Sequence, residues 1–195
     1  GKLPILAGGT GLYVQAVTEN LNIPRVKPNP KLRKKLEQRM QKGGLETLFQ
    51  ELIKLDPGSA YIIDPKNPRR VVRALEVALT TEKPFTSQRK KGTPLFDVLK
   101  IGVAAPKEKL RERISRRVDK MAYDGLIEEV KALIKKYGAN CPAFDAIGYR
   151  EIIAYLKGAF SLEEATAEIK KNTWRYAKRQ MTWFKKDKGI RWIQN

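Results

Sequence analysis

The stretch Pro4–Tyr13, PILAGGTGLY, decides the fold class. The apolar run from Leu3 to Ala7 reads as a strand buried on both faces, and Gly8, Gly9 and Gly11 turn it into a helix whose amino end falls near Leu12. A strand that passes at once through a glycine-rich turn into a helix belongs to a parallel α/β sheet. Such a turn can hold an anion, because glycine opens extra backbone conformations and a helix amino end offers unpaired amides. Thr10 adds a hydroxyl donor at the same place. The chain has no Walker-type GxxxxGK[ST] stretch, so the usual phosphate-binding lysine is not supplied. A tight strand-to-helix turn with no ligand accounts for the same residues.

A second segment of this kind, VLKIGVAA from Val98 to Ala105, is expected to be another buried strand. Two strands do not make a stable parallel sheet, so the sheet is expected to be incomplete, with strands wanting on the amino-terminal side. Between the two segments the pattern is helical, bracketed by PRVKPNP and RKKGTP. The organisation expected is therefore a core at 1–27, a helical insertion at 28–92 and a return to the core at 93–195.

Within the insertion, NPKLRKKLEQRMQKGG predicts a helix stopped at Gly43 and Gly44, and LETLFQELIKL predicts the next. RRVVRALEVALT places Val71, Val72, Leu75 and Leu79 on one side, with Arg70 and Arg73 on the other and Arg69 at the edge. After the second strand, Leu110, Ile114, Val118 and Met121 form a helical stripe, and GLIEEVKALIKKYG predicts a helix ending at Gly138. Ser161 and Glu164 form a capping box that opens a last helix running to about Lys185, roughly 35 Å long at ~1.5 Å per residue.

Composition narrows the chemistry. The 195 residues hold 40 Lys and Arg against 21 Asp and Glu, a net charge of +19, which suits a polyanion and above all a nucleic acid. A solvated basic surface is the bland alternative. With no histidine there is no His-based triad or ordinary zinc cluster, and the single Cys141 excludes an internal disulfide. No apolar run approaches the ~20 residues of a membrane span and no signal-peptide pattern opens the chain, so a cytosolic protein is expected.

Three stretches carry candidate chemistry. In NTWRYAKRQMTWFKK, Lys171, Arg175, Lys178 and Arg179 fall on one helical face and Ile169, Tyr176 and Trp183 continue an apolar one. Such a cationic face can track a phosphate backbone while aromatics stack on bases; an amphipathic helix with core aromatics fits the same pattern. Arg69, Arg70 and Arg73 offer planar donor forks for phosphate, or else pair with carboxylates such as Glu76. In AFDAIGYREI, Gly148 allows close approach of a ligand or of a packed helix.

Taken in order, LPILAGGTGLY, DPKNPRRVVRALEV, GLIEEV, AIGYREI and AKRQMTWF resemble the tRNA dimethylallyltransferases, or tRNA isopentenyltransferases, over essentially the whole chain. The resemblance implies a P-loop NTPase-like parallel sheet pierced by a reaction channel, with a helical insertion that clasps a tRNA anticodon stem-loop. The implied reaction moves a dimethylallyl group from dimethylallyl diphosphate to the exocyclic amine of the adenine 3' to the anticodon. Magnesium assists by neutralising the diphosphate, and a monomer is expected.

Carried over, Thr10 matches the threonine between adenine and diphosphate, with Gly8, Gly9 and Gly11 as its loop. Arg33 matches an arginine near the tRNA. Arg69, Arg70, Val71, Val72 and Arg73 match the tRNA-contacting "QR..R" segment, with Arg69 where glutamine is common. Asp145, Ala146, Ile147, Gly148, Tyr149 and Arg150 match the "IGYR" segment. Lys178, Arg179, Gln180, Met181, Thr182, Trp183, Phe184 and Lys185 match "KRQxTWFR", ending in lysine instead of arginine. Trp174 departs from the family, which often has "TR" where this chain has Thr173 and Trp174. The family's P-loop and its general-base aspartate are not among these residues, so a carboxy-terminal portion is expected, with magnesium ligands mostly elsewhere and no catalysis by this portion alone. A nucleotide-specific adenylate isopentenyltransferase and a non-catalytic basic RNA-binding module are the competing readings.

Overall fold

The computed structural model describes every residue except Arg25, Arg89 and Asn140. Arg25 and Arg89 belong to the two stretches that bracket the expected insertion, so those positions lie outside the described residues. The chain divides into two compact units, Gly1–Val98 and Leu99–Asn195.

In the first unit, helix α1 spans Gly11–Thr18, α2 Pro30–Leu55, α3 Ser59–Ile62 and α4 Pro68–Thr81. Helices α2 and α4 begin alike. Asn29 and Asn67 each accept a hydrogen bond from a first-turn amide, Leu32 N at 3.0 Å and Arg70 N at 3.2 Å, and a proline follows where its missing N–H costs nothing. Helix α2 leaves helical geometry at Gly44 (φ 81°, ψ 163°), where the sequence predicts a stop. The chain folds back there, so that Leu36 from before the break and Leu48 and Leu52 from after it pack with Val71 and Leu75 of α4. Each such side chain contributes roughly 1.5–3 kcal/mol by leaving water. Leu79, expected on this stripe, is 39% exposed, because the helix outruns its partner.

Asp56, only 1% exposed, fastens this unit from below α2. Ser59 Oγ donates to it at 2.7 Å, while the Thr86 hydroxyl and amide donate at 2.6 and 2.9 Å. Burial alone would raise the Asp56 carboxyl, but the donors from Thr86, Ser59 and Gly58 hold it below its ordinary value. The segments on either side of the helical stretch meet in an antiparallel bridge between Leu21 and Lys91. Asn22 N donates to Lys90 O at 2.8 Å and Gly92 N to Asn20 O at 2.9 Å.

The amino-terminal run corrects one expectation. Leu3 to Ala7 forms no strand, and Leu3, Ile5 and Leu6 are 86, 85 and 59% exposed. A strand persists only through a hydrogen-bonded neighbour, and no described segment pairs with this run. The glycine turn corrects another: Gly8, Gly9 and Gly11 are absent from the positive-φ residues, so the conformations open only to glycine are not used here.

The second unit carries strand β1 (Lys100–Ala104), helices α5 (Lys107–Tyr123), α6 (Leu126–Tyr137), α7 (Tyr149–Leu156) and α8 (Leu162–Phe184), and strand β2 (Ile190–Gln194). Strands β1 and β2 pair in parallel, Lys100 opposite Ile190 and Ala104 opposite Gln194. Along β1, half-buried and exposed residues alternate. Ile101 and Val103 are 57 and 58% exposed, against the expectation of burial on both faces, because no described layer covers them. Gly102 faces Trp192, whose ring lies 2.6 Å from where a Cβ would stand, so glycine is required for the two strands to close. The helical core gathers Ile114 and Val118 of α5, Val130 of α6, Ile152 of α7 and Ile169 of α8. The fold is thus mostly helical with a small parallel sheet, the class expected.

Candidate nucleic-acid interface

In the first unit the cations converge on one carboxylate. Glu76 of α4 is fully buried, and Arg33 of α2 donates to it from Nε at 2.9 Å and from Nη2 at 2.8 Å. Arg73 donates at 2.5 Å and also reaches Val26 O at 3.0 Å, while the Asn29 amide donates at 2.7 Å. Burial by itself would raise the Glu76 carboxyl; the donors from Arg33, Asn29 and Arg73 outweigh it and hold the group at about 2. Arg33 is raised in turn by its hydrogen bond to Glu76.

Two guanidinium groups share one carboxylate, so the node keeps an excess positive charge, with the Arg33 and Arg73 side chains 38 and 33% exposed at its rim. Carboxylate pairing, weighed from the sequence as the alternative for this arginine cluster, is what Arg73 does. Val71 and Val72, placed with the tRNA-contacting segment by resemblance, are instead buried in the core, their helical face being the one that meets α2. Arg69 and Arg70 lie on the exposed side of α4.

Thr10 caps α1 through its carbonyl, which accepts from Tyr13 N at 2.9 Å and Val14 N at 3.1 Å. Its hydroxyl makes no cap hydrogen bond and stands exposed.

In the second unit a buried glutamate plays a similar part. Glu151, 3% exposed, accepts from Gly148 N at 2.8 Å, from Arg150 Nε at 2.7 Å and from Asn172 Nδ2 at 2.9 Å. Burial would raise its carboxyl, yet the donors from Arg150, Gly148 and Asn172 lower it. One side chain thereby ties the IGYR segment to α8. Gly148 turns the chain into α7 with φ 101° and ψ −54°, a conformation costly for any residue with a Cβ.

Tyr149 does not point free. Its hydroxyl donates to Glu129 at 2.5 Å, which raises the phenol above its ordinary value, and its ring meets Phe144 edge to face at 6.1 Å. Arg150, Asp145 and Ala146 are exposed, and Ile147 is half-buried.

Along α8, Lys171, Arg175, Lys178 and Arg179 are all exposed on the face the spacing predicts. Of the apolar face, Ile169 is buried, while Tyr176 and Trp183 are 40 and 38% exposed, which fits the base-stacking alternative better than core packing. Of the remaining residues in the KRQMTWFK stretch, Thr182 and Lys185 are exposed while Gln180, Met181 and Phe184 are half-buried.

Two features escaped the sequence reading. Glu151 stands three residues after Gly148, the same spacing that marks Ser161 and Glu164 as a capping box, and that spacing was the available signal. Asn172 carries no pattern of its own. Among the described residues no group of three or more His, Cys, Asp or Glu is placed to hold a metal ion. Among them, too, no helix is long and apolar enough to cross a membrane.

The family model described as IPP transferase matches residues 1–187. The tRNA dimethylallyltransferase of Thermomicrobium roseum is 45% identical over 98% of this chain, which spans 59% of that relative's length. Among solved structures, the full-length tRNA isopentenylpyrophosphate transferase of Bacillus halodurans is 38% identical, with a TM-score of 0.56 over 95% of this chain and 57% of its own. A eukaryotic dimethylallyltransferase acting on tRNA is 27% identical, with a TM-score of 0.67 over 96% of this chain and 50% of its own. With helices and parallel sheet in common with these structures, and a family match over nearly its entire length, the chain belongs to the IPP transferase family.

Proposed function

We propose that this chain serves a tRNA dimethylallyltransferase, moving a dimethylallyl group from dimethylallyl diphosphate to the exocyclic amine of the adenine 3' to the anticodon. The observation that carries the reading is the 45% identity to a tRNA dimethylallyltransferase over 98% of the chain. The exposed cations of α8 and the charged rim around Glu76 support an RNA substrate.

In this reading the adenine nitrogen attacks the allylic carbon, the carbon–oxygen bond to diphosphate breaks, and the leaving group takes the electron pair. The amine proton passes to a base. Thr10 donates to the oxygen that leaves, because stabilising developing negative charge is where a single well-aimed donor has most effect. The base must be unstacked to expose its amine, and Trp183 and Tyr176, aromatic and exposed, suit that step. The general-base aspartate and P-loop implied by the resemblance are not in these residues, and the roles assigned to this chain are recognition of the RNA and the Thr10 donor.

Titrating the chain with an anticodon stem-loop and with AMP tests the reading. Stem-loop binding that weakens steeply with salt, and no measurable AMP binding, is the expected result. AMP binding without stem-loop binding would turn the assignment to a nucleotide-specific enzyme.

A further inference from the structure

Trp174 of α8 is half-buried, its indole packed against the core of the second unit, and two cations stand over its ring. The Arg111 guanidinium carbon, from α5, lies 4.7 Å from the ring centroid, and Lys178 Nζ lies 6.0 Å from it. Both side chains belong to exposed residues, and among the described residues neither is within ion-pair distance of a carboxylate. The first distance is well inside the range of a cation–π contact and the second at its edge.

We propose that Arg111, Trp174 and Lys178 form a phosphate-binding site for the RNA backbone, with Arg111 an RNA-contacting residue. This rests on the RNA substrate of the proposed function.

Two like charges gathered on one ring repel each other, and an anion between or beside them relieves that repulsion. An arginine lying over an aromatic face still has donors along the edge of its planar fork, the geometry that suits a phosphate. Trp174 is held by the core, so it fixes one face of Arg111 in advance and lessens the side-chain ordering that binding would otherwise require. Lys178 lies within the KRQ stretch already placed at the RNA by resemblance, whereas Arg111 comes from a different helix that no motif singles out. The site therefore widens the cationic face of α8 onto α5, and it gives the tryptophan that departs from the family pattern a role as a platform.

The test uses the full chain, an anticodon stem-loop and inorganic diphosphate, with affinity measured over a range of potassium chloride concentrations. Arg111→Ala should weaken stem-loop binding about fivefold and lower the steepness of the log–log salt dependence by about 1. Arg111→Gln, which keeps the stem, should do the same, and Arg111→Lys should restore the salt slope. Trp174→Leu keeps both the net charge and the apolar bulk, and should weaken binding about threefold through loss of the ring face. Unaltered affinity and slope in Arg111→Ala and Arg111→Gln, with melting curves unchanged, would overturn the site. No effect of Trp174→Leu would overturn the platform and leave only net charge. Variants that lose diphosphate binding while keeping stem-loop binding would overturn the RNA backbone as the source of the phosphate. A wild-type chain that binds no RNA would overturn this inference and the proposed function together, whereas wild-type binding matched by the Arg111 variants overturns this inference alone.

Discussion

Glu76 and Arg33 stand 43 residues apart in sequence and meet through two hydrogen bonds, at 2.9 and 2.8 Å, inside the first unit. The contact links the start of α2 to the middle of α4, and with Arg73 and the Asn29 amide it fills the acceptor capacity of a carboxylate that has no access to water. A group so placed stabilises the fold only while it is ionised.

That condition gives a pH dependence of known sign. The Glu76 carboxyl falls from an ordinary 4.5 to about 2 in the folded chain, so its contribution is complete above about pH 4.5 and is lost as pH drops towards 2. The size is on the order of 3 kcal/mol, and Asp56 and Glu151, also lowered, add to the same acid limb. Glu76→Gln should melt earlier at pH 7, by roughly 3 kcal/mol, since it leaves two arginines around a neutral amide. Thermal melts of both forms between pH 7 and pH 2 check this. A Glu76→Gln variant as stable as wild type at pH 7 would contradict the role given to the carboxylate.

Gly148→Ala separates backbone strain from crowding. A Cβ there meets only Met121 Cε, at 3.9 Å, so the whole effect comes from φ 101°, and a loss of about 1–2 kcal/mol is expected in a denaturant melt. Gly8→Ala should change stability by less than about 0.5 kcal/mol, because the position is open and not at positive φ. Any loss of activity in Gly8→Ala would then report on a ligand and not on folding.

Much of this was legible in the sequence, for physical reasons that differ by element. The capping box at Ser161 and Glu164, the stop at Gly44 and the stripe of Ile114 and Val118 are local patterns set by helix geometry, and they appear where the spacing puts them. The Leu3–Ala7 run fails as a strand because strand formation needs a partner, which local pattern does not provide. Strand β2 went unread since Ile190, Trp192 and Gln194 alternate only briefly after a turn, and Gly102 opposite Trp192 becomes meaningful only once the two are paired. The arginines were visible as charge. The Arg73–Glu76 pair is an i,i+3 contact that helical spacing offers, but the capture of Arg33 by Glu76, 43 residues away, and the bond of Glu151 to Asn172, 21 residues away, depend on long-range packing that no spacing rule reports.

Trp183 and Tyr176, for which the sequence leaves base stacking and core packing both open, stand exposed. Trp183→Ala should therefore leave the melting temperature nearly unchanged while weakening stem-loop binding by about 1 kcal/mol or more, the usual worth of a base stacked on an aromatic ring. Parallel melting and binding titrations check it. A large fall in stability with unchanged binding would return Trp183 to a packing role.

Thr10→Ala should divide catalysis from recognition. The Thr10 hydroxyl makes no cap hydrogen bond, so its removal should not disturb α1. In an active enzyme kcat is expected to fall about a hundredfold or more with RNA affinity within about twofold, the pattern of an interaction made in the transition state. Equal losses in kcat and affinity would make the residue structural.

The central claim is tested most directly by transfer itself. The chain, joined to the P-loop and general-base segments that the resemblance implies, is given labelled dimethylallyl diphosphate with an anticodon stem-loop or with AMP. Label is expected on the adenine 3' to the anticodon and none on AMP. An enzyme that leaves the stem-loop unlabelled, or that labels AMP alone, would contradict it.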